Sequence, residues 1–511
     1  MRVAFARSTA VLAVLLLAAC PRPGTSGDGG VDAGHDAGDP YLFQAAPSPT
    51  FDGGLDPATW KAHLVEDLLP YWTMDAAKGT PVGNFPTNRG MDGAPSASSD
   101  RKPRMLGRQI FAYSVGFLLT GDEALLDLAR AGDRWLIDHA WAGADGGWVA
   151  DLDAAGNPLG SGSRFAQDFS YAAMGPAAYF YVTRDEEAER VVLATRDLLF
   201  DPRTFWDADG GRIKDGLDPT LSTEAYMSPG GPGSWQLVAQ LDPVTGFLLL
   251  AQPHLSDAGR RTQVLGDLQR LMALVETTFW RDGFFWGATA EYGQWGSQHS
   301  DFGHMLKSYW ALTQLDKRLP GHPFAAFLAA HAADTLRMAY DSPWGRWAKL
   351  PDGPDSVAYG SDWWAYAEAD QLAGTLALHD PSWLPVLGVT ATNFRADYVD
   401  RTRSAREVVS SVSRTGSWVY PWPTSDTAKC NVWKNGFHST EHALVMSLIS
   451  SWVQGVPLEL YFAFPAGKVD ALAAATWPYT FPGRVVDWQD LGPLAGDASR
   501  HKVKVRFDQL R

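Results

Sequence analysis

Residues Arg108–Ala140 read RQIFAYSVGFLLTGDEALLDLARAGDRWLIDHA. Apolar residues recur at helical spacing on both sides of Thr120-Gly121-Asp122, so the stretch predicts a helix–turn–helix hairpin. The residues that follow, WAGADGGWVADLDAAGNP, alternate and end in Gly-Asn-Pro, which predicts a short β-hairpin. This unit recurs. Trp141 precedes Asp145-Gly146-Gly147, Trp206 precedes Asp209-Gly210-Gly211, Trp280 precedes Asp282-Gly283-Phe284, and Trp344 precedes Gly345-Arg346-Trp347. The tryptophans lie 65, 74 and 64 residues apart. A supersecondary unit at that period fills about 400 residues with about six hairpins. Six hairpins joined in a ring make an (α/α)6 toroid, an all-α architecture. An open superhelix is the alternative, but open arrays keep a more regular repeat.

The flanks differ in character. Leu460–Pro465 (LYFAFP) and Lys502–Phe507 (KVKVRF) run like strands, with Pro and Gly between them. The expected organisation is therefore a barrel over 51–455 and a small β-rich extension over 456–511. Residues 21–50 are mostly Gly, Pro, Asp and Ala, a composition that cannot bury a core and serves as a tether. Residues 1–20 read as a targeting segment. Arg2 and Arg7 precede the apolar run VLAVLLL, and Leu17-Ala18-Ala19-Cys20 follows. A cysteine after small residues resembles a bacterial lipobox. The expectation is a lipoprotein with acyl chains on Cys20, held at the cell envelope, with Pro21 pointing to the outer membrane.

Composition narrows the class. The 511 residues are 45% hydrophobic and carry a net charge of −15, which suits a large folded core and argues against nucleic-acid partners. There are two cysteines; with Cys20 lipidated, Cys430 has no partner for a disulfide.

Four clusters carry candidate chemistry. In His438–His442 (HSTEH) two histidines share a helix face in the His-x-x-Glu-His pattern of a zinc peptidase. Only Glu459 remains downstream as a further glutamate ligand, so the zinc reading is weak, and a buried helix start is the plain alternative. In Ser300–Trp310 (SDFGHMLKSYW) Gly303 reads as a break before a helix. His304 falls in the first turn, where the positive helix end favours a neutral imidazole able to act as a base, and Lys307 lies one turn on. A capping loop with a hydrogen-bonded histidine is the plain alternative. Ser361–Asp370 (SDWWAYAEAD) sets Trp363 and Trp364 before Glu368: aromatic faces that stack on sugars beside a carboxylate that binds hydroxyls, or else core packing. Finally, Arg108 is a charge inside an apolar helix, which needs a polar cavity or a route to the rim.

These clusters, with HLVEDLLPYW, GRQIFAYSVGFLLTGDEALLDLA, DGGWVADLDAAGNPL and RFAQDFSYAAMGPAAYFYV, occur in an order that resembles the N-acylglucosamine 2-epimerase superfamily, which includes cellobiose 2-epimerases and mannose isomerases. The likeness runs from about His63 to about Ser451. It implies an (α/α)6 barrel and cofactor-free proton transfer on a sugar through an enediol(ate). It implies His304 and His438 as the acid/base pair, Arg108 contacting the sugar, and Trp364 and Glu368 holding it, with Trp363 beside them. The sequence departs from the family where a glutamate usually follows the first histidine by one turn, here Lys307, and where an arginine often follows the second, here Glu441. The opposite signs suggest a relocated ion pair across the cavity. A mid-chain histidine has no match; Asp242 and Thr245 occupy that neighbourhood. Competing expectations are a glycoside hydrolase or lyase on the same toroid, with carboxylates drawn from Glu368, Glu441, Asp168 and Asp301, and a glycan-binding surface lipoprotein without activity.

Overall fold

The computed structural model describes residues 40–41, 54–96, 100–160, 162–226, 234–420 and 429–510. The targeting segment with Cys20, and most of the tether, lie outside the described residues. From Pro40 onward the chain is one compact unit.

The chain enters through α1 (Pro57–Ala62), a π-helical turn and α2 (Leu69–Trp72), then α3 (Asp75–Lys78). Helical hairpins follow: α4 (Pro103–Thr120) with α5 (Glu123–Ala140), and α6 (Ala166–Thr183) with α7 (Glu186–Leu199). Next, α8 (Leu237–Pro243) continues through a π-helical turn into α9 (Leu249–Ala251), and pairs with α10 (Ala258–Leu274). Then come α11 (Phe302–Asp316) with α12 (Ala325–Ala339), α13 (Trp363–Ala377) with α14 (Leu384–Asp397), and α15 (Phe437–Val453).

Burial sorts these into two layers. In α4, α6, α11, α13 and α15 nearly every residue is buried, whatever its position on the helical wheel, as an inner helix demands. In α5, α7, α10 and α12 burial is confined to one stripe, as for helices facing water. The inner helices succeed one another round a ring. α4 packs on α6 and α6 on α8, the Lys307–Asp242 ion pair joins α8 to α11, α11 packs on α13, α13 on α15, and α15 returns to α4. The sixth outer position is filled by α1, which packs on α15. The architecture is the (α/α)6 toroid, and the chain closes it by pairing its first helix with its last.

The repeated Trp motif marks the exit of each outer helix. Trp141 bridges Trp148, Trp206 pairs with Ile213, and Trp280 with Phe285. The fourth position is Tyr340, paired with Trp347, rather than Trp344. Trp344 sits in the turn, exposed. The shared feature is the glycine at the turn: Gly147, Gly211, Gly283 and Gly345 all have φ between 59° and 91°, the left-handed conformation that glycine adopts without strain. Each hairpin turns the chain from an outer helix back toward the next inner one.

After α15 come β1 (Leu458–Pro465), α16 (Val469–Ala474), β2 (Gly483–Leu494) and β3 (Asp497–Leu510), an antiparallel sheet of order β1-β3-β2. β1 packs on α4, α6 and α15. The segment between α16 and β2 meets the C-terminal ends of the inner helices. Tyr181 Oη donates to the Trp477 carbonyl (2.8 Å) and Arg318 to the Thr480 carbonyl (2.7 Å). Among the described residues no helix is long and apolar enough to cross a membrane.

Candidate active site

The opposite, N-terminal ends of five inner helices surround a cavity of about 380 Å³. α4 contributes Arg104 and Arg108, α6 Gln167 and Tyr171, α11 His304 and Lys307, α13 Trp363 and Trp364, and α15 His438. Residues more than three hundred apart in sequence thus meet, because every inner helix presents its first two turns to one end of the ring.

His304 sits in the first turn of α11. Asp301 caps that helix, accepting from the His304 backbone N–H (3.0 Å) and from its Nδ1 (2.8 Å). The ring nitrogen left to the cavity is Nε2. Burial pushes the Asp301 carboxyl up, but the His304 charge and these hydrogen bonds outweigh it and hold it below its ordinary value. Gly303 does not break the chain; it lies inside α11. A Cβ there would stand 2.4 Å from the Trp364 ring, so the position is glycine because Trp364 occupies the space. Trp364 meets both histidines, with ring centroids 4.7 Å from His304 and 5.8 Å from His438.

His438 opens α15 and is buried. Its Nδ1 has no hydrogen bond and stands 3.4 Å from Glu368 Oε1. Burial, then the Arg108 and Lys307 charges, push the imidazole well below its ordinary value, so it is neutral. One turn on, His442 points elsewhere: its Nε2 meets Asp370 (3.0 Å) and its ring packs on Trp60 and Phe394. The two histidines of HSTEH therefore do not share a zinc ion.

Lys307 does not pair with Glu441. Its Nζ meets Asp242 Oδ1 at 2.6 Å and Tyr171 Oη at 3.1 Å. Asp242 also accepts from Gln167 (2.8 Å) and Tyr171 (3.0 Å). Burial alone would raise the Asp242 carboxyl, but Lys307 brings it down to about 2; in return Asp242 overcomes burial and raises Lys307. The partner is Asp242 because α8 and α11 are adjacent in the ring. Glu441 instead accepts from Tyr479, on the C-terminal segment, and from Gln371 Nε2 (3.5 Å). Burial, followed by mutual repulsion, raises Glu368; burial raises Glu441 as well.

Arg108 lies 3.7 Å from the centre of the Tyr171 ring and donates to the Trp433 carbonyl (2.9 Å). Burial lowers its proton affinity to about 10, which leaves it charged at neutral pH. Arg104 pairs with Asp168 (2.9 Å) and covers the Trp433 ring at 4.8 Å. Trp433 is 44% exposed, so it stands at the mouth.

The cavity thus gathers His304, His438, Lys307, Arg108, Trp363 and Trp364. Glu368 and Glu441 lie beneath it, and Asp168 and Asp301 are each tied to a cation or an imidazole. Of the carboxylates lining the cavity, Asp301 is bound to His304 and Asp362 accepts from Ser411. Glu368, His438 and Glu441 place donor atoms within 4.8 Å of one another, a spacing a metal ion could use. Tyr479 already occupies one Glu441 oxygen, and the Lys307 charge acts on both carboxylates against a second cation. Sequence reasoning missed Tyr171, Gln167, Arg104 and His299. His299 lines the cavity at φ 61°, a strained conformation, with its ring 4.7 Å from that of His304; no motif marks it.

Residues 84–229 match the profile of the N-acylglucosamine 2-epimerase (GlcNAc 2-epimerase) family. Over that stretch the chain is similar to this family, and the solved structures below share its fold. The cellobiose 2-epimerase from Spirochaeta thermophila DSM 6192 has the same fold at 21% identity, TM-score 0.66, over 79% of this chain and 98% of its own. The cellobiose 2-epimerase from Bacillus thermoamylovorans B4167 aligns at 16% identity, TM-score 0.63, over 77% and 98%. A D-mannose isomerase aligns at 18% identity, TM-score 0.59, over 78% and 99%. No curated protein sequence matches the chain. The Lys307–Asp242 pair and the Tyr479–Glu441 contact take the place of the Lys307–Glu441 pair that the sequence suggested.

Proposed function

We propose that the protein is a sugar 2-epimerase or aldose–ketose isomerase working by proton transfer between His438 and His304. One observation carries the reading: two imidazoles in unlike environments flank Trp364 at a single cavity. His438 is neutral, and Glu368 faces its Nδ1 to balance the charge it gains, so it is the base. His304 is held at Nδ1 by Asp301, which turns Nε2 to the cavity, so it is the group that returns the proton.

The sugar enters past Trp433 and stacks on Trp364, with Arg108 donating to its hydroxyls. In the open-chain form, His438 takes the proton from C2; the C2–H electron pair moves into the C1–C2 bond and the carbonyl π pair onto O1. The Lys307 ammonium, which lines the cavity and spends two of its three N–H groups on Asp242 and Tyr171, has a third to donate to that developing enediolate. Return of a proton to C2 from the His304 face re-forms the C1 carbonyl and gives the epimer; passage of the O2 proton to O1, with protonation at C1 as the C2 carbonyl forms, gives the ketose. The opposite epimer reacts by the reverse assignment. The three named structural neighbours, two cellobiose 2-epimerases and a D-mannose isomerase, carry the names of enzymes for such sugars.

The test is incubation with aldoses and disaccharides in D2O. Deuterium at C2 or C1 is expected, with loss of about a hundredfold or more in His304→Ala and in His438→Ala. Absence of exchange across the panel overturns the reading; release of new reducing ends would replace it with hydrolysis. We also propose that acyl chains on Cys20 hold the enzyme at the cell envelope. Cys20→Ser is then expected to lose metabolic fatty-acid labelling and to leave the membrane fraction, and an unlabelled wild type would refute the anchor.

A further inference from the structure

The segment that seals the far end of the ring reaches the site from below. Between α16 and β2 the chain is fastened at four points. Arg184 donates to Thr476 Oγ1 (3.1 Å), Tyr181 Oη donates to the Trp477 carbonyl and accepts from the Tyr479 backbone N–H (2.7 Å), and Arg318 donates to the Thr480 carbonyl. Tyr479 is 3% exposed, with φ 62°, an unusual conformation for an aromatic residue. Its ring stands at 6.3 Å from Phe111 of α4. Its hydroxyl donates to Glu441 Oε1, while Gln371 approaches Oε2. Glu441, Glu368 and His438 place their donor atoms within 4.8 Å, and Glu368 Oε1 faces the unpartnered Nδ1 of His438.

We propose that Tyr479 is a positioning residue of the active site: through Glu441 it fixes the Glu368 carboxylate against His438 Nδ1. This rests on the reading of His438 as the base. Two buried carboxylates so close repel one another unless one is protonated or firmly hydrogen-bonded. By donating to Glu441, Tyr479 anchors one of the two and leaves the Glu368 carboxylate to balance the positive charge that His438 acquires with the proton. Other charged groups act on the same imidazole: Arg108 from α4, Lys307 from α11 and Lys434 from the turn before α15. They disfavour the imidazolium, which makes a well-placed Glu368 necessary. The contribution comes from residues beyond the ring itself, on the C-terminal segment.

The experiment follows the His438 ring by nitrogen NMR in the unliganded protein, assigned with His438→Gln. Tyr479→Phe keeps the ring against Phe111 and removes only the hydroxyl. Glu441→Gln breaks the same link from the other side, so the test survives if one variant folds poorly. Both are expected to shift the His438 ring signals, and the double variant to shift them no further than the larger single change. With a turned-over sugar, kcat falls about tenfold in Tyr479→Phe with KM unchanged, the mark of a misplaced catalytic group. His438 signals identical in wild type and both variants overturn the proposal. Shifted signals without sugar turnover would leave the positioning role standing and refute the epimerase reading instead.

Discussion

At the residue scale, the buried charges set both stability and pH range. Asp242→Asn leaves the Lys307 ammonium buried without its paired counter-charge, holding only neutral acceptors at Tyr171 and the new amide. Breaking such a pair from one side costs about 3–5 kcal/mol, whereas removing both charges costs less. Asp242→Asn is therefore expected to melt well below the wild type, and Asp242→Leu with Lys307→Met to recover part of the loss. Equal melting of Asp242→Asn and wild type would show that the pair is not a buried ion pair. His63 adds a pH term. Burial, opposed only in part by Asp67, lowers its proton affinity from the ordinary 6.5 to about 4. Between those values the unfolded chain binds a proton that the folded one refuses, so stability rises with pH across that window, by about 3 kcal/mol in all. Urea midpoints should fall as pH drops from 6.5 to 4, and His63→Asn should flatten that slope. Catalysis moves the same way: a His438 held neutral loses its basic form only at a pH below the usual histidine range. An acid limb of kcat/KM at an ordinary histidine value would contradict that environment.

At the element scale, one glycine links packing to chemistry. Gly303 admits the Trp364 ring between α11 and α13, and any Cβ there would meet ring carbons at 2.4 and 2.5 Å. Gly303→Ala must turn Trp364 away from the two imidazoles. The expected result is a loss of activity of about a hundredfold with melting lowered by only a few degrees; unchanged activity would show that Trp364 does not place the sugar. The elements themselves were legible in sequence. Alternating helical stretches and Trp/Gly turns gave the hairpins, and His304, His438, Arg108 and Trp364 line one cavity. The fourth turn misled because Trp344 looks like its counterparts while Tyr340 holds the ladder position. The glycine of that turn, not the tryptophan, carries the repeat, since only the left-handed backbone is obligatory. The Lys307–Asp242 pair and the Tyr479–Glu441 contact stayed hidden for another reason. Both depend on which helices are neighbours and on where a loop enters the ring, and local patterning carries neither.

At the scale of the whole molecule, 1.5 Å of rise per residue makes the inner helices about 25 Å long, with the site at one end and the C-terminal segment at the other. Deleting residues 456–510 would strip β1 from α4, α6 and α15 and open the far end onto buried Phe and Leu side chains. That truncation is expected to be insoluble or to unfold before the full chain in urea; a soluble product with native melting would show that the strands are an appendage. The sealed far end also dictates traffic. A ring open at both faces would let a polymer slide through from one catalytic event to the next. Here Trp477, Tyr479 and Thr480 make the shaft a cul-de-sac. Under the proposed function a sugar then backs out past Trp433 by the way it came in, only the terminus of a glycan reaches the histidines with its reducing unit leading, and every turnover ends in complete release.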